Sequence, residues 1–391
     1  DVYFQETISQ WNGVLTSAIS PSDLAGASQY FEYSNNTLTL LQNVTWNDII
    51  SNATITIAST DYIQLSPTDI FDGQGFTIDL ESNTIKGFFA FTSGGTGTTR
   101  AKVMNLGLLN GHHNGVFGGY FIRTNQKFFE VKNCYCTGDI TAMYSGGFLG
   151  NQGSSGDALI ENCYCTGDIT GLYSAGIASY QIGKQGNCSI INCYSTGIIN
   201  GSNSAGICGR GVGENGNCSI INCYSTGIIT GSGSAGICGQ SAGLNNGNCS
   251  IINCYSTGII SSGSGICGKN AGDAGNCSII NCFSTGSLDG GSSGISGSKA
   301  GINGGSCTVT NCYSEHKSGN ITNGISNGTN AMDGNYEISL LSNGQLDSSL
   351  NSTDAWVADT NIPKMYPLLK SFKQEDPWNG NIFVMKNGSI A

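Results

Sequence analysis

The chain has 391 residues, of which only 10% are charged, and its 26 acidic side chains against 15 basic ones give a net charge of −11. An acidic chain with scattered cations excludes nucleic acid as a partner, because phosphate neutralisation needs clustered Lys and Arg. No run of 18 apolar residues occurs, so no membrane span is predicted, and the 59 glycines exclude a mainly helical fold.

Residues 1–40, with Trp11, Tyr30, Phe31 and Tyr33, read as an N-terminal cap. Such a cap protects the open end of a stacked sheet from edge pairing. Residues 41–126 read as long, irregular coils. The start at Asp1 fits either removal of a secretion signal or a fragment.

From 127 to 330 the chain repeats itself. Asn133, Asn162, Asn192, Asn222, Asn253, Asn281 and Asn311 each open a variant of Asn-Cys-Tyr-Ser-Thr-Gly, at spacings of 29, 30, 30, 31, 28 and 30 residues. A period this steady, written in Gly, Ser, Ile and Cys, is that of a solenoid with one repeat per coil. Within a unit, Cys218–Ser225 is β-branched and aromatic, Thr226-Gly227 breaks it, Ile228–Thr230 resumes, and a Gly-Ser stretch leads to Ala235–Cys238. Three short strands with Gly-rich corners follow. The predicted fold is all-β, a right-handed single-stranded parallel β-helix capped at both ends. Residues 331–391, with Trp356, Tyr366 and Trp378, read as a C-terminal cap or docking segment.

The alternation assigns faces. Val131, Ile160, Ile190, Ile220, Ile251, Ile279 and Val309 are uniformly apolar and point inward, together with Cys188, Cys218, Cys249, Cys277 and Cys307 two residues earlier. Ile191, Ile221, Ile252 and Ile280 then point outward and form a candidate interface stripe. The seven Asn at the following corner are expected to stack inward and hydrogen-bond to their equivalents. Residue identity leaves open whether Cys193 and Tyr194 keep the parity. All 17 cysteines fall on the repeats. Ladders of packed free thiols are the preferred reading, ahead of disulfides, and Cys134-Tyr-Cys136 and Cys163-Tyr-Cys165 lack the spacing of a metal site.

Gly-Ile-Cys-Gly followed by Gly-Asn-Cys-Ser-Ile-Ile-Asn-Cys-Tyr-Ser-Thr-Gly-Ile-Ile resembles the GLUG-motif repeat of surface proteins, over residues 127–330. Phe71–Leu80 and Ala101–Asn110 are similar to early coils of pectin-lyase-like β-helices, and Ala355-Trp356 with Met365–Leu369 resembles the segment closing GLUG arrays. The resemblance implies a β-helix and a surface location. It implies no reaction and no cofactor.

Three functional readings follow. The first is a noncatalytic structural or adhesive rod, at a cell or virion surface or in an extracellular filament, acting through self-association. The second is a polysaccharide lyase or glycoside hydrolase, which needs acids on one outer face. Its best residues are Asp139 and Asp168, at one repeat position, with His112, His113 and Arg123 nearby; later coils place Ile198, Ile228 and Ile259 there. The third is a carbohydrate- or host-surface-binding adhesin using the Tyr column at 135, 164, 194, 224, 255 and 313, with Phe283, if it faces solvent. Sequons at Asn35, Asn43, Asn52, Asn320, Asn327 and Asn351 are the candidate glycosylation sites, outside the crowded repeat column of Asn187, Asn217, Asn248 and Asn276.

Overall fold

The structure, a computed structural model, describes residues 18–58, 61–92, 99–113, 118–123, 128–151, 156–287 and 292–314, with strand segments Asp333–Glu337, Trp356–Val357 and Leu368–Leu369. The described chain is a parallel β-solenoid. Its first face stacks Thr37–Leu40, Ile70–Asp72, Ala101–Met104, Phe129–Lys132, Ala158–Glu161, Asn187–Ile191, Asn217–Ile221, Asn248–Ile252, Asn276–Ile280 and Ser306–Ser314. Ile190, Ile220, Ile251, Ile279 and Val309 pair in register, and each is at most 1% exposed. The 30-residue period therefore maps onto the coil, and identical side chains meet at a spacing of about 4.8 Å.

Each first-face strand ends at Asn. Asn105, Asn133, Asn162, Asn192, Asn222, Asn253 and Asn281 have φ between 52° and 55°, a left-handed conformation that Asn tolerates better than most residues. Their side chains form a ladder. Asn105 Nδ2 donates to Asp72 Oδ1 at 2.9 Å, and each following Asn donates to the Oδ1 of the one before at 3.0 to 3.3 Å, through to Asn281. One residue type thus supplies both the bend and the cross-coil bond.

The left-handed residue also resets the alternation. Cys193, Cys223 and Cys254 are buried directly after the corner, each thiol donating to the carbonyl two residues back at 3.2 or 3.3 Å. Ser195, Ser225, Ser256 and Ser284 face inward on the second face, where a Cβ on Gly176, Gly206, Gly236 or Gly265 of the third face would overlap their hydroxyls. The interior is therefore thin, and glycine is required opposite serine. Cys165 and Cys136 occupy the same column one and two coils earlier, against Gly147.

The filling of the core changes along the axis. The early coils are filled by aromatics, with Phe71 and Phe89 edge-on at 5.0 Å and Phe121 and Phe148 stacked at 4.6 Å. Later coils use Ile, Cys and Ser at the facing positions. At the N-terminal side, where the sequence showed no helical periodicity, two helices too short for such a pattern occur. Pro21–Leu24 has a Ser20 and Asp23 capping box, and Trp46–Asn52 is capped by Thr45 and buries Trp46 and Ile49. Phe31–Ser34 and Thr37–Leu40 form an antiparallel hairpin across Asn35-Asn36, and its second strand joins the parallel stack. No helix among the described residues is long and apolar enough to cross a membrane.

All 17 cysteines are buried and unpaired. Burial pushes the Cys136, Cys163, Cys208 and Cys254 thiols up, which disfavours the reactive thiolate. Hydrogen bonds with Cys238 and Cys277 pull Cys267 down to about 6, and at Cys223 and Cys282 hydrogen bonds with neighbouring cysteines outweigh burial and lower the thiol too, so exclusion from solvent is what protects these three. A thiol-reactive dye is expected to find almost no sulfur in the native protein and all 17 thiols after denaturation without reductant. A smaller count after denaturation would mean that disulfides brace the coils.

Candidate functional site

The second face continues beyond its Gly corner into an outward column followed by an inward one. The inward column is Ile85, His113, Ile140, Ile169, Ile199, Ile229 and Ile260. Outward, one residue earlier, stand Thr84, His112, Asp139, Asp168, Ile198, Ile228 and Ile259. The fold thus brings His112, Asp139 and Asp168 onto one outer line. Both carboxylates are engaged with the coil that follows: Asp139 Oδ1 accepts from the Asp168 amide at 2.9 Å, and Asp168 Oδ1 accepts from the Ile198 amide at 2.8 Å. The described residues contain no group of three or more acidic, Cys or His side chains arranged to hold a metal ion.

His113 is separated from that line. It is fully buried in the isoleucine column with neither ring nitrogen hydrogen-bonded, and burial lowers its pKa to about 4 from 6.5. Arg123 also stands apart, its guanidinium 4.1 Å above the Tyr62 ring. A histidine that must stay neutral when folded gives a pH dependence of known sign. The unfolded chain binds the proton first, so stability is complete above pH 6.5 and falls as pH drops towards 4, by about 3 kcal/mol at 1.36 kcal/mol per unit. His113→Ile, matching its column neighbours, is expected to remove that loss, read as the difference between variant and wild-type urea midpoints at pH 7 and pH 4.5. Parallel midpoints at both pH values would contradict the burial.

The Tyr column is stacked upon itself. Tyr135, Tyr164, Tyr194, Tyr224, Tyr255 and Phe283 have ring centroids 4.7 to 5.0 Å apart and planes within 6°. Tyr135 and Tyr164 are half-buried, and Tyr194, Tyr224, Tyr255 and Phe283 are at most 8% exposed. The column alternates with inward Ser195 and Ser225 and stands outside the continuous core cluster. Ring faces packed on each other are not open platforms for sugars. Burial raises the Tyr224 and Tyr255 phenols.

Ile191, Ile221, Ile252 and Ile280 stack in register on the outer side of the first face, continued by Thr310 and preceded by Glu161 and Lys132. They are half-buried, because neighbours above, below and across cover much of each side chain. Among the described residues the exposed isoleucines are instead Ile198, Ile228 and Ile259, at 43%, 40% and 48%. Upstream, the same outer face is charged: Glu130 pairs with Arg100 at 3.7 Å, Lys102 at 3.6 Å and Lys132 at 3.8 Å, and Lys132 with Glu161 at 3.1 Å.

Among the sequons, Asn35 sits exposed in a left-handed hairpin turn, exposed Asn43 accepts from Thr77, and exposed Asn52 ends the second helix. Asn320, Asn327 and Asn351 lie outside the described residues. In the repeat column the amide nitrogens of Asn187, Asn217, Asn248 and Asn276 are tied into a ladder.

One cluster escaped sequence reasoning. Tyr144 and Tyr173 take left-handed φ of 58° and 57°, where the next coils place Asn203 and Gly233. Bulky residues rarely adopt this conformation, which costs about 1–2 kcal/mol. Their rings stack at 5.1 Å, Tyr180 tilts against Tyr144 at 4.5 Å, and Arg210 lies 5.0 Å over Tyr173. Nearby Glu214, 8% exposed, accepts from Gln181 and from Asn245 at 3.2 Å and pairs with Lys184 at 3.7 Å. The available signal was Tyr standing where other repeats carry corner-forming Asn or Gly.

No family model matches the chain, and no curated protein matches it. Among solved structures, the crystal structure of a Bacteroides ovatus protein provisionally named an immunoglobulin A1 protease aligns over 91% of this chain and 92% of its own, at 16% identity and a TM-score of 0.34. A likeness at that score carries no argument about this chain.

Proposed function

We propose that the chain is a noncatalytic rod of the GLUG-repeat kind, with a structural or adhesive role at an extracellular, cell or virion surface. The observation that carries this reading is the engagement of Asp139 and Asp168, the best-placed acids, each holding the backbone amide of the next coil. Low charge and exposed sequons at Asn35, Asn43 and Asn52 support a surface setting. Self-association through an isoleucine column supplies the assembly, with Ile191, Ile221, Ile252 and Ile280 or the more exposed Ile198, Ile228 and Ile259 as contacts. The expected result by negative-stain microscopy and light scattering is rods that associate, with association lost in Ile228→Lys/Ile259→Lys or in Ile221→Lys/Ile252→Lys. Association unchanged in both pairs removes the isoleucine columns from the interface.

A second reading, a glycan lyase or hydrolase, is favoured by one observation: His112, Asp139 and Asp168 share an outer column at coil spacing, close to the carboxyl separation of retaining glycosidases, about 5 Å.

A further inference from the structure

The outer side of the first face carries a second ladder beside the corner asparagines. In Asn187–Ile191, Asn217–Ile221, Asn248–Ile252 and Asn276–Ile280 the outward residues are Asn, Ser and Ile, and Ser306, Thr308 and Thr310 complete the array. Asn187 Nδ2 donates to Asp157 Oδ1 at 3.0 Å, Asn217 to Asn187 at 3.0 Å, Asn248 to Asn217 at 2.9 Å and Asn276 to Asn248 at 3.0 Å; Ser306 Oγ donates to Asn276 Oδ1 at 2.8 Å. Each amide places one N–H and one lone pair in the ladder and keeps a second of each for a ligand.

These amides and the neighbouring Ser and Thr hydroxyls border a groove of about 420 Å³ running along the axis over the coils from Asn187 to Thr308. That volume lies within the range of small-molecule sites. No charged side chain is among its described lining residues. The neutrality is local to these coils. In register with Ser189 and Ile191, earlier coils carry Lys102, Glu130, Lys132 and Glu161, so the face is able to hold charge and does so just upstream.

We infer that this groove binds a neutral, linear glycan laid along the solenoid axis. A hydroxyl and an amide recur at every coil, about 4.8 Å apart, comparable to one sugar residue, and the groove's lining repeats this pair from Asn187 to Thr308. Acidic glycans and nucleic acids are disfavoured because no cation lines the groove. An added peptide strand is disfavoured because the groove lies on a sheet face whose backbone groups already pair with the coils on either side. The inference rests on the adhesive form of the proposed function and names its ligand class and site.

The test is calorimetric titration of the full chain with neutral hexasaccharides (β-1,4-glucan, β-1,3-glucan and β-1,4-N-acetylglucosamine) and with oligogalacturonate as the acidic control. Binding of at least one neutral hexasaccharide, at least tenfold tighter than oligogalacturonate, is expected. Ser219→Arg/Ser250→Arg, which alters only outward positions, should weaken that binding at least tenfold while circular dichroism and melting temperature stay unchanged, and Ser219→Thr/Ser250→Thr should retain it. No neutral ligand bound, equal binding by the arginine variant, or a preference for the acidic glycan would overturn the inference. So would loss of self-association in the arginine variant with no effect on sugar, which would give the groove to a second copy. Adhesion of wild-type rods to glycan-coated surfaces is measured alongside: adhesion that persists in the arginine variant sinks the groove and leaves the adhesive reading standing, whereas absence of wild-type adhesion sinks that reading itself.

Discussion

Gly227→Ala is expected to destabilise the repeat region by about 3 kcal/mol or more, read as a lower urea midpoint or loss of soluble protein. A Cβ at Gly227 would overlap the carbonyl oxygen of Gly197, and Gly197, Gly258 and Gly286 meet the glycine one coil before in the same way. The obstacle is backbone rather than a side chain able to turn aside, so the coils must separate locally and lose ladder hydrogen bonds on both sides. That places the variant at or beyond the upper end of ordinary overpacking, about 1–3 kcal/mol. Gly304→Ala is the control. Its φ of 81° makes alanine strained, but no atom lies within 4 Å of the added methyl, so about 1 kcal/mol is expected. Gly227 has no left-handed φ, so equal effects at the two positions would show that the coils give way to the added methyl and that close approach does not explain the glycine column.

Ile220→Asp is expected to prevent folding. Ile220 is 0% exposed and packed between Ile190 and Ile251, so the variant loses an isoleucine contact set and buries a carboxylate with no partner. Together these cost about 5 kcal/mol or more, comparable to the total stability of many domains. Ser232→Asp, exposed at a corner of the same repeat, should shift the midpoint by no more than about 0.5 kcal/mol. Since coils couple chiefly to their neighbours, the loss at Ile220 is expected to spread from coils 190, 220 and 251 outward.

The repeat asparagines and the inward Val and Ile column were enough to locate the coil, its period and its core, because a two-residue alternation beside a uniformly apolar position has one reading. The same logic failed just past Asn192. A single left-handed residue shifts the alternation by one, so the facing of Cys193 and Tyr194 depended on a backbone angle that residue identity alone does not report. Exposure was misjudged for a related reason. Ile191 points outward as the parity indicates, yet close coils leave it half-buried, while Ile198, at the edge of a Gly corner, has fewer neighbours. Asp139 and Asp168 were legible as a stacked pair, but their bonds to the amides of Asp168 and Ile198 depend on side-chain direction across coils. The Trp46–Asn52 helix was missed because seven residues hold too few turns to display a period. The neutral groove escaped notice because Asn-Cys-Ser was read only as a crowded sequon column, whereas the groove exists only when equivalent outward residues are stacked.

The noncatalytic reading is tested most directly by incubating the purified chain with pectin, alginate and neutral glycans, with and without calcium, and measuring unsaturated sugars and new reducing ends. No release above that of heat-denatured protein is expected. Release that disappears in Asp139→Asn or Asp168→Asn, in variants that retain the wild-type melting temperature, would contradict it.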